Sequence, residues 1–205
     1  MKTGQPYKLS FTTGGLFLRE ASFTVPLYLE FRNWERVQEK IKETNLFQTR
    51  TLSSGVRISQ EVISRLATLS DSELEVIHES NTQDQAHLMW IAASRRYTLI
   101  GQFAEEVVRE KFLLLKPELS YLDFDSFLRS KALWHHEIDD LKESTTKRLR
   151  QNVFKMLREA EMLSENGFIL HVTLSNKIAK LITSHDASEF RLFTLTASDV
   201  ARITE

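Results

Sequence analysis

Residues 144–163 read Ser144-Thr145-Thr146-Lys147-Arg148-Leu149-Arg150-Gln151-Asn152-Val153-Phe154-Lys155-Met156-Leu157-Arg158-Glu159-Ala160-Glu161-Met162-Leu163. Leu149, Val153, Met156, Leu157, Ala160 and Leu163 recur near the helical period and predict the buried stripe of an amphipathic helix from Thr145 to about Leu163. Ser144 is placed to cap it. Lys147, Arg148, Gln151, Lys155 and Arg158 fall on the opposite side, with Arg150 on the flank. No acidic residue occurs from Ser144 to Arg158. Ahead of this helix, Glu137 to Leu141 predicts a short one. Behind it, Asn166-Gly167 marks a turn into Phe168 to Leu174, whose composition is β-like. Short helix, turn, longer helix, turn and strand pair is the order of a winged helix-turn-helix.

The remaining chain reads as helices. Tyr7 to Thr13 alternates apolar and polar residues as a short extended arm. A helix follows to about Phe31, and Pro26 is expected to kink or split it. Asn33 and Asn45 bracket a helix from Trp34 to Thr44. Further helices are predicted from Ser53 to Leu69, from the Ser70-Asp71-Ser72-Glu73 capping box to Glu79, and over Gln83 to Leu115 with a break near Thr98 to Gly101. Ser120 and Ser175 cap two more. With only 6 Gly and 3 Pro, a turn-rich sheet fold is disfavoured. The expected architecture is all-α, a multi-helix globular bundle with helix-turn-helix-like units and a small β wing near residues 168–174. Lys116-Pro117 suggests two domains, residues 1–116 and a winged-helix-like 117–205. Trp34, Trp90 and Trp134, each amid apolar neighbours, are expected in the core.

Charge sets the terms for a partner. The formal net charge is −1, so any grip on a polyanion must come from a local patch. The helix at residues 144–163 supplies one. Its Lys and Arg side chains suit phosphates, Gln151 and the arginines suit base edges, and Ser144 and Thr145 lie at a helix N-terminus that suits an anion. A solvated basic face is the plain alternative. A second candidate face carries Arg57, Gln60 and Ser64, with Arg50 just before it. Arg95-Arg96 is a third, unspecific basic spot.

Other chemistries are poorly supported. The sequence has no cysteine, which excludes disulfides, thiolate metal sites and cysteine nucleophiles. His135, His136, Glu137 and Asp139 are the one cluster of metal-ligand types, without helical His-Glu-x-x-His spacing. Thr12-Thr13-Gly14-Gly15 lacks the Gly-Lys-Ser/Thr ending of a phosphate loop, so its glycines point to a tight turn or close packing. Asp123 and Asp125 alone do not make a metal site. No catalytic residue, metal, cofactor or small-molecule substrate is expected. Uncharged runs such as Leu9–Leu18 and Ala86–Ser94 are far below a membrane span, so a cytoplasmic protein without a membrane partner is expected.

Several ordered blocks carry a resemblance over nearly the whole chain. They are Tyr7-Lys8-Leu9-Ser10-Phe11-Thr12-Thr13-Gly14-Gly15-Leu16-Phe17-Leu18-Arg19-Glu20, Glu61-Val62-Ile63-Ser64-Arg65-Leu66 with Leu69-Ser70, and Arg95-Arg96-Tyr97. Leu119-Ser120-Tyr121 with Asp123-Phe124, Ser144 through Gln151 and Met156 through Ala160 complete the set. In these the sequence resembles the BrxA family of BREX phage-defence systems. The resemblance implies a helical, non-catalytic binder of double-stranded DNA, distantly like NusB in fold, with other BREX proteins as further partners. The alternatives are a protein-interaction adaptor within a BREX complex and a metal-dependent nuclease built on His135, His136, Glu137 and Asp139.

Overall fold

A computed structural model describes residues 6–204. The chain divides into two compact units, one spanning Leu16–Arg96 and the other taking in the described residues up to Gly15 and those from Tyr97 onward.

The smaller unit forms around α5 (Thr82–Arg96), whose residues from Ala86 to Ser94 are all buried. A helix apolar on every side belongs in an interior. Around it lie α1 (Leu18–Phe31), α3 (Leu52–Leu66) and α4 (Asp71–Glu79), with α2 (Trp34–Thr44) against α1 and α3. The ends of α2 follow the predicted chemistry: the Asn33 side chain accepts from the Arg36 N–H, and Asn45 adopts the left-handed conformation. At α4 the capping box forms as expected, with the Ser70 N–H donating to Glu73 at 2.7 Å. Pro26 does not split α1, which runs through it. The cost of a missing internal hydrogen bond is outweighed by the burial of Ala21, Thr24 and Val25 on its inner face.

Arg95 does not belong to a basic surface. Its guanidinium donates to both Glu73 carboxylate oxygens, at 2.7 and 2.9 Å, and to the Thr68 carbonyl at 3.1 Å. Burial alone would raise the Glu73 carboxyl, but Arg95 and the Ser70 backbone N–H outweigh it and hold the group below its ordinary value.

The larger unit begins with the arm. Phe11 is buried against Tyr97, and its carbonyl accepts from the buried Asn152 side chain at 2.9 Å. The Tyr7 N–H donates to Glu137 at 2.6 Å. After the break at Tyr97, α6 (Thr98–Phe103) continues through a π-helical turn (Ala104–Arg109) into α7 (Glu110–Leu113). Then come α8 (Tyr121–Ala132), α9 (His136–Asp139), α10 (Glu143–Glu159), α11 (Asn176–His185), a 3₁₀ turn (Ala187–Leu192) and α12 (Ala197–Thr204). Phe103 gathers the core, with ring centroids 5.1 Å from Phe124 and 5.3 Å from Phe127.

Two further features differ from the sequence expectation. Lys116-Pro117 falls inside the larger unit, not at its edge. The Pro117 carbonyl accepts from Ile169 N–H at 2.6 Å, and Lys111 pairs with Asp123 at 2.6 Å across the same point. The segment 168–174 forms no strand among the described residues. It makes only the antiparallel bridges Glu118↔Phe168 and Leu163↔Ile169 around the Asn166-Gly167 turn. The ladder cannot extend past Glu118, because α8 starts at Tyr121 and carries the partner segment away.

Candidate nucleic-acid interface

Helix α10 buries Leu149, Asn152, Val153, Phe154, Met156 and Leu157. Ser144, Lys147, Arg148, Gln151 and Lys155 are exposed. At about 100° per residue these five share an arc of about 100°, and Arg158, half-buried, falls on the same arc. Three residues, Asp140 to Lys142, link α9 to α10.

The helix starts two residues earlier than the sequence suggested. Lys142 is the capping residue, without a side-chain cap, and its carbonyl accepts from Thr145 N–H at 2.8 Å and Thr146 N–H at 3.0 Å. Ser144 and Thr145 therefore lie within the first turn. Glu143 occupies the first position, where a negative charge complements the dipole. The anion-binding character expected of this terminus is thus partly met by the chain itself.

The cations differ in how far they are committed. Lys147 and Arg148 have no ion-pair partner among the described residues. Lys155 lies 3.7 Å from Glu159, one turn on, and Arg158 lies 3.5 Å from the exposed Glu165. The Lys155 pair is long and largely exposed and holds little free energy, whereas Arg158 Nε is buried. Arg150 is different: it pairs with Asp125 of α8 and stacks its guanidinium 4.5 Å from the Tyr121 ring centroid. It belongs to the packing of α10 on α8.

In the smaller unit, Arg50 and Arg57 are both exposed, as is Gln60. Helix α3 begins at Leu52, with the Thr51 side chain accepting from Ser54 N–H. Ser64 turns inward, its hydroxyl donating to the Glu61 carbonyl at 3.0 Å.

The metal-ligand cluster is dispersed. No three His, Asp or Glu side chains are placed to hold an ion among the described residues. Glu137 instead accepts from the Tyr7 N–H at 2.6 Å and contacts His135 Nδ1 at 3.0 Å. Asp123 caps α8 by accepting from the Ser120 N–H at 2.7 Å. Gly15 lies close to the Glu159 carboxylate, which would have to shift to admit a Cβ there, and Gly14 adopts a positive φ of 68°. Of the three tryptophans, Trp90 is buried and Trp34 half-buried against Tyr28, but Trp134 is 84% exposed, against expectation. Helix α8 ends at Ala132 and leaves Leu133 and Trp134 outside the core. The sequence reading also missed Arg129 of α8, which shares the wall of a cleft with Lys147 and Arg150. Its signal was positional only: Leu122, Ser126, Arg129 and Leu133 follow helical spacing on an exposed face.

A family model described as BrxA matches residues 5–186. The chain belongs to the BrxA family. Among BrxA relatives, the BREX protein BrxA of Paramagnetospirillum magneticum (strain ATCC 700264 / AMB-1) is 25% identical over 160 residues, covering 78% of this chain and 80% of that protein. The BREX protein BrxA of Bacillus cereus (strain H3081.97) is 27% identical over 148 residues, 72% of this chain and 74% of its own length. That of Escherichia coli O9:H4 (strain HS) is 24% identical over 147 residues, 72% and 69% respectively. The BrxA fold described above is also similar to a crystal structure of an uncharacterized protein from Magnetospirillum magneticum. That similarity has a TM-score of 0.82 at 22% identity, over 93% of this chain and 100% of the other. No helix among the described residues is long and apolar enough to cross a membrane.

Proposed function

We propose that this BrxA chain is a non-catalytic, double-stranded DNA-binding component of a BREX anti-phage defence system, gripping the phosphate backbone through α10. The observation that carries the proposal is the outward arc of Lys147, Arg148, Gln151 and Lys155 on a helix whose other side is locked into the core. In this reading α9, the three-residue link and α10 act as a helix-turn-helix that presents the arc to a groove. Arg50 and Arg57 on the smaller unit offer a second basic contact.

Mobility shifts on duplex DNA, single-stranded DNA and RNA at two salt concentrations test the proposal. Retention of duplex at low salt, with steep loss at high salt, supports it. No shift of duplex at low salt by the folded protein overturns it. The second reading, an adaptor between BREX proteins, draws on Leu114 and Leu115, the latter 88% exposed at the end of α7. Stable capture of a BREX protein with no duplex shift would favour that reading.

A further inference from the structure

A cleft of about 390 Å³ opens between α8, α9 and α10. Leu128, Ala132 and Ile138 give it an apolar floor. Arg129 and Lys147 line it with positive charge, Asp139 and Glu143 with negative. None of these four has an ion-pair partner among the described residues. Charges of both signs facing one space without closing on each other leave room for a ligand that both donates and accepts hydrogen bonds. Asp125 and Arg150 also line the cleft. Asp125 Oδ1 and Arg150 Nε, in residues otherwise paired with each other, have no hydrogen-bond partner within the protein. Two residues beyond the cleft-lining Ala132 stands Trp134, with Leu133 beside it and 76% exposed.

We propose that this cleft takes an unpaired nucleobase bearing an exocyclic amino group (adenine, cytosine or guanine), while Trp134 stacks in the space that the base leaves in the duplex. The inference rests on the DNA-binding reading above, because Lys147 belongs to both surfaces: it lines the cleft and stands next to Arg148 on the outward arc. The volume is within the range of small-ligand pockets, and an apolar floor suits the face of a planar ring. The carboxylates would repel a duplex passing overhead, yet they accept from the exocyclic amino group of a base turned toward them. Thymine would present a carbonyl oxygen to the same carboxylates and be disfavoured. Arg129 and Lys147 then hold the flanking phosphates, and an exposed indole replaces the lost stacking.

The test compares binding of the full chain to three duplexes of one sequence: fully paired, with a single bulged adenine, and with a single bulged thymine. The expected result is a preference of about tenfold for bulged adenine over both others, the scale of one well-placed base contact. Asp139→Asn with Glu143→Gln should bring the adenine-to-thymine ratio near one. Trp134→Ala should remove the preference for the adenine bulge over paired duplex. Ratios are read so that a uniform change in affinity cancels. Binding of paired duplex with an adenine preference under about threefold overturns the cleft and leaves the α10 grip standing. Binding of the adenine bulge without paired duplex overturns the grip and supports the cleft. Failure on all three overturns both.

Discussion

Replacing Lys147 and Arg148 together by glutamine removes the two cations of α10 that have no carboxylate partner. Each phosphate neutralised on duplex DNA contributes about 0.9 to the slope of log affinity against log salt. If Lys147, Arg148, Lys155 and Arg158 all engage, the slope is about −3.6, and a fourfold rise in salt costs roughly 150-fold in affinity. The double variant keeps only Lys155 and Arg158, so its slope falls to about −1.8 and the same rise costs roughly twelvefold. Both side chains project away from the buried face, so stability should change by less than about 0.5 kcal/mol. Fluorescence anisotropy with a labelled random duplex, from about 50 to 200 mM salt, measures both slopes. A variant that unfolds like the parent and keeps a slope within about 0.5 of it refutes the assignment of phosphate contact to α10.

Three further outcomes are expected. Glu73→Gln leaves Arg95, largely buried, without its carboxylate and should cost about 3–5 kcal/mol, read as a lowered urea midpoint; a cost below about 1 kcal/mol would show that the pair contributes nothing specific. Asp199, hydrogen-bonded by the Thr196 hydroxyl and backbone N–H, has its carboxyl lowered to about 2, and Glu73 is also held below its ordinary value. Both groups bind protons more readily when unfolded, so their stabilisation is complete above the unfolded carboxylate range and is lost as pH falls from there through the lowered folded-state values, about 2 for Asp199. Urea midpoints from about pH 6 down to about pH 2.5 should decline less steeply in Asp199→Asn than in the parent, and an identical decline would exclude its contribution. Trp134→Ala should change stability by less than about 0.5 kcal/mol while removing the most solvent-exposed component of the tryptophan emission; a large loss of stability would place this indole in packing.

Helix ends are legible in this sequence because capping is local. Asn33, Ser70 and Ser175 each accept from a backbone N–H three residues on, at the positions their types suggest. The buried stripe of α10 is legible for the same reason, since its period needs no knowledge of the partner. Partnerships across long separations are not. Arg150 looks like its neighbours in a helical projection, yet Asp125 claims it from 25 residues away. Arg95 is claimed by Glu73 in the same manner. Trp134 misleads differently, because Ala132-Leu133-Trp134 reads as a continuing apolar run while the helix stops at its first member. The division at Lys116-Pro117 misjudged what a proline can separate, since both sides belong to one compact unit and Lys111 before it pairs with Asp123 after it.

The arm at the start of the chain imposes an order on biosynthesis. The backbone N–H of Tyr7 waits for a carboxylate 130 residues later, and the Phe11 carbonyl waits for an amide 141 residues later. At ordinary elongation rates that delay lasts roughly ten to thirty seconds. Meanwhile Leu16–Arg96, a compact unit of the fold, has emerged in full. A nascent or truncated polypeptide ending before residue 152 therefore carries a Phe11 carbonyl without its buried amide partner, which makes such fragments natural clients for chaperones and proteases.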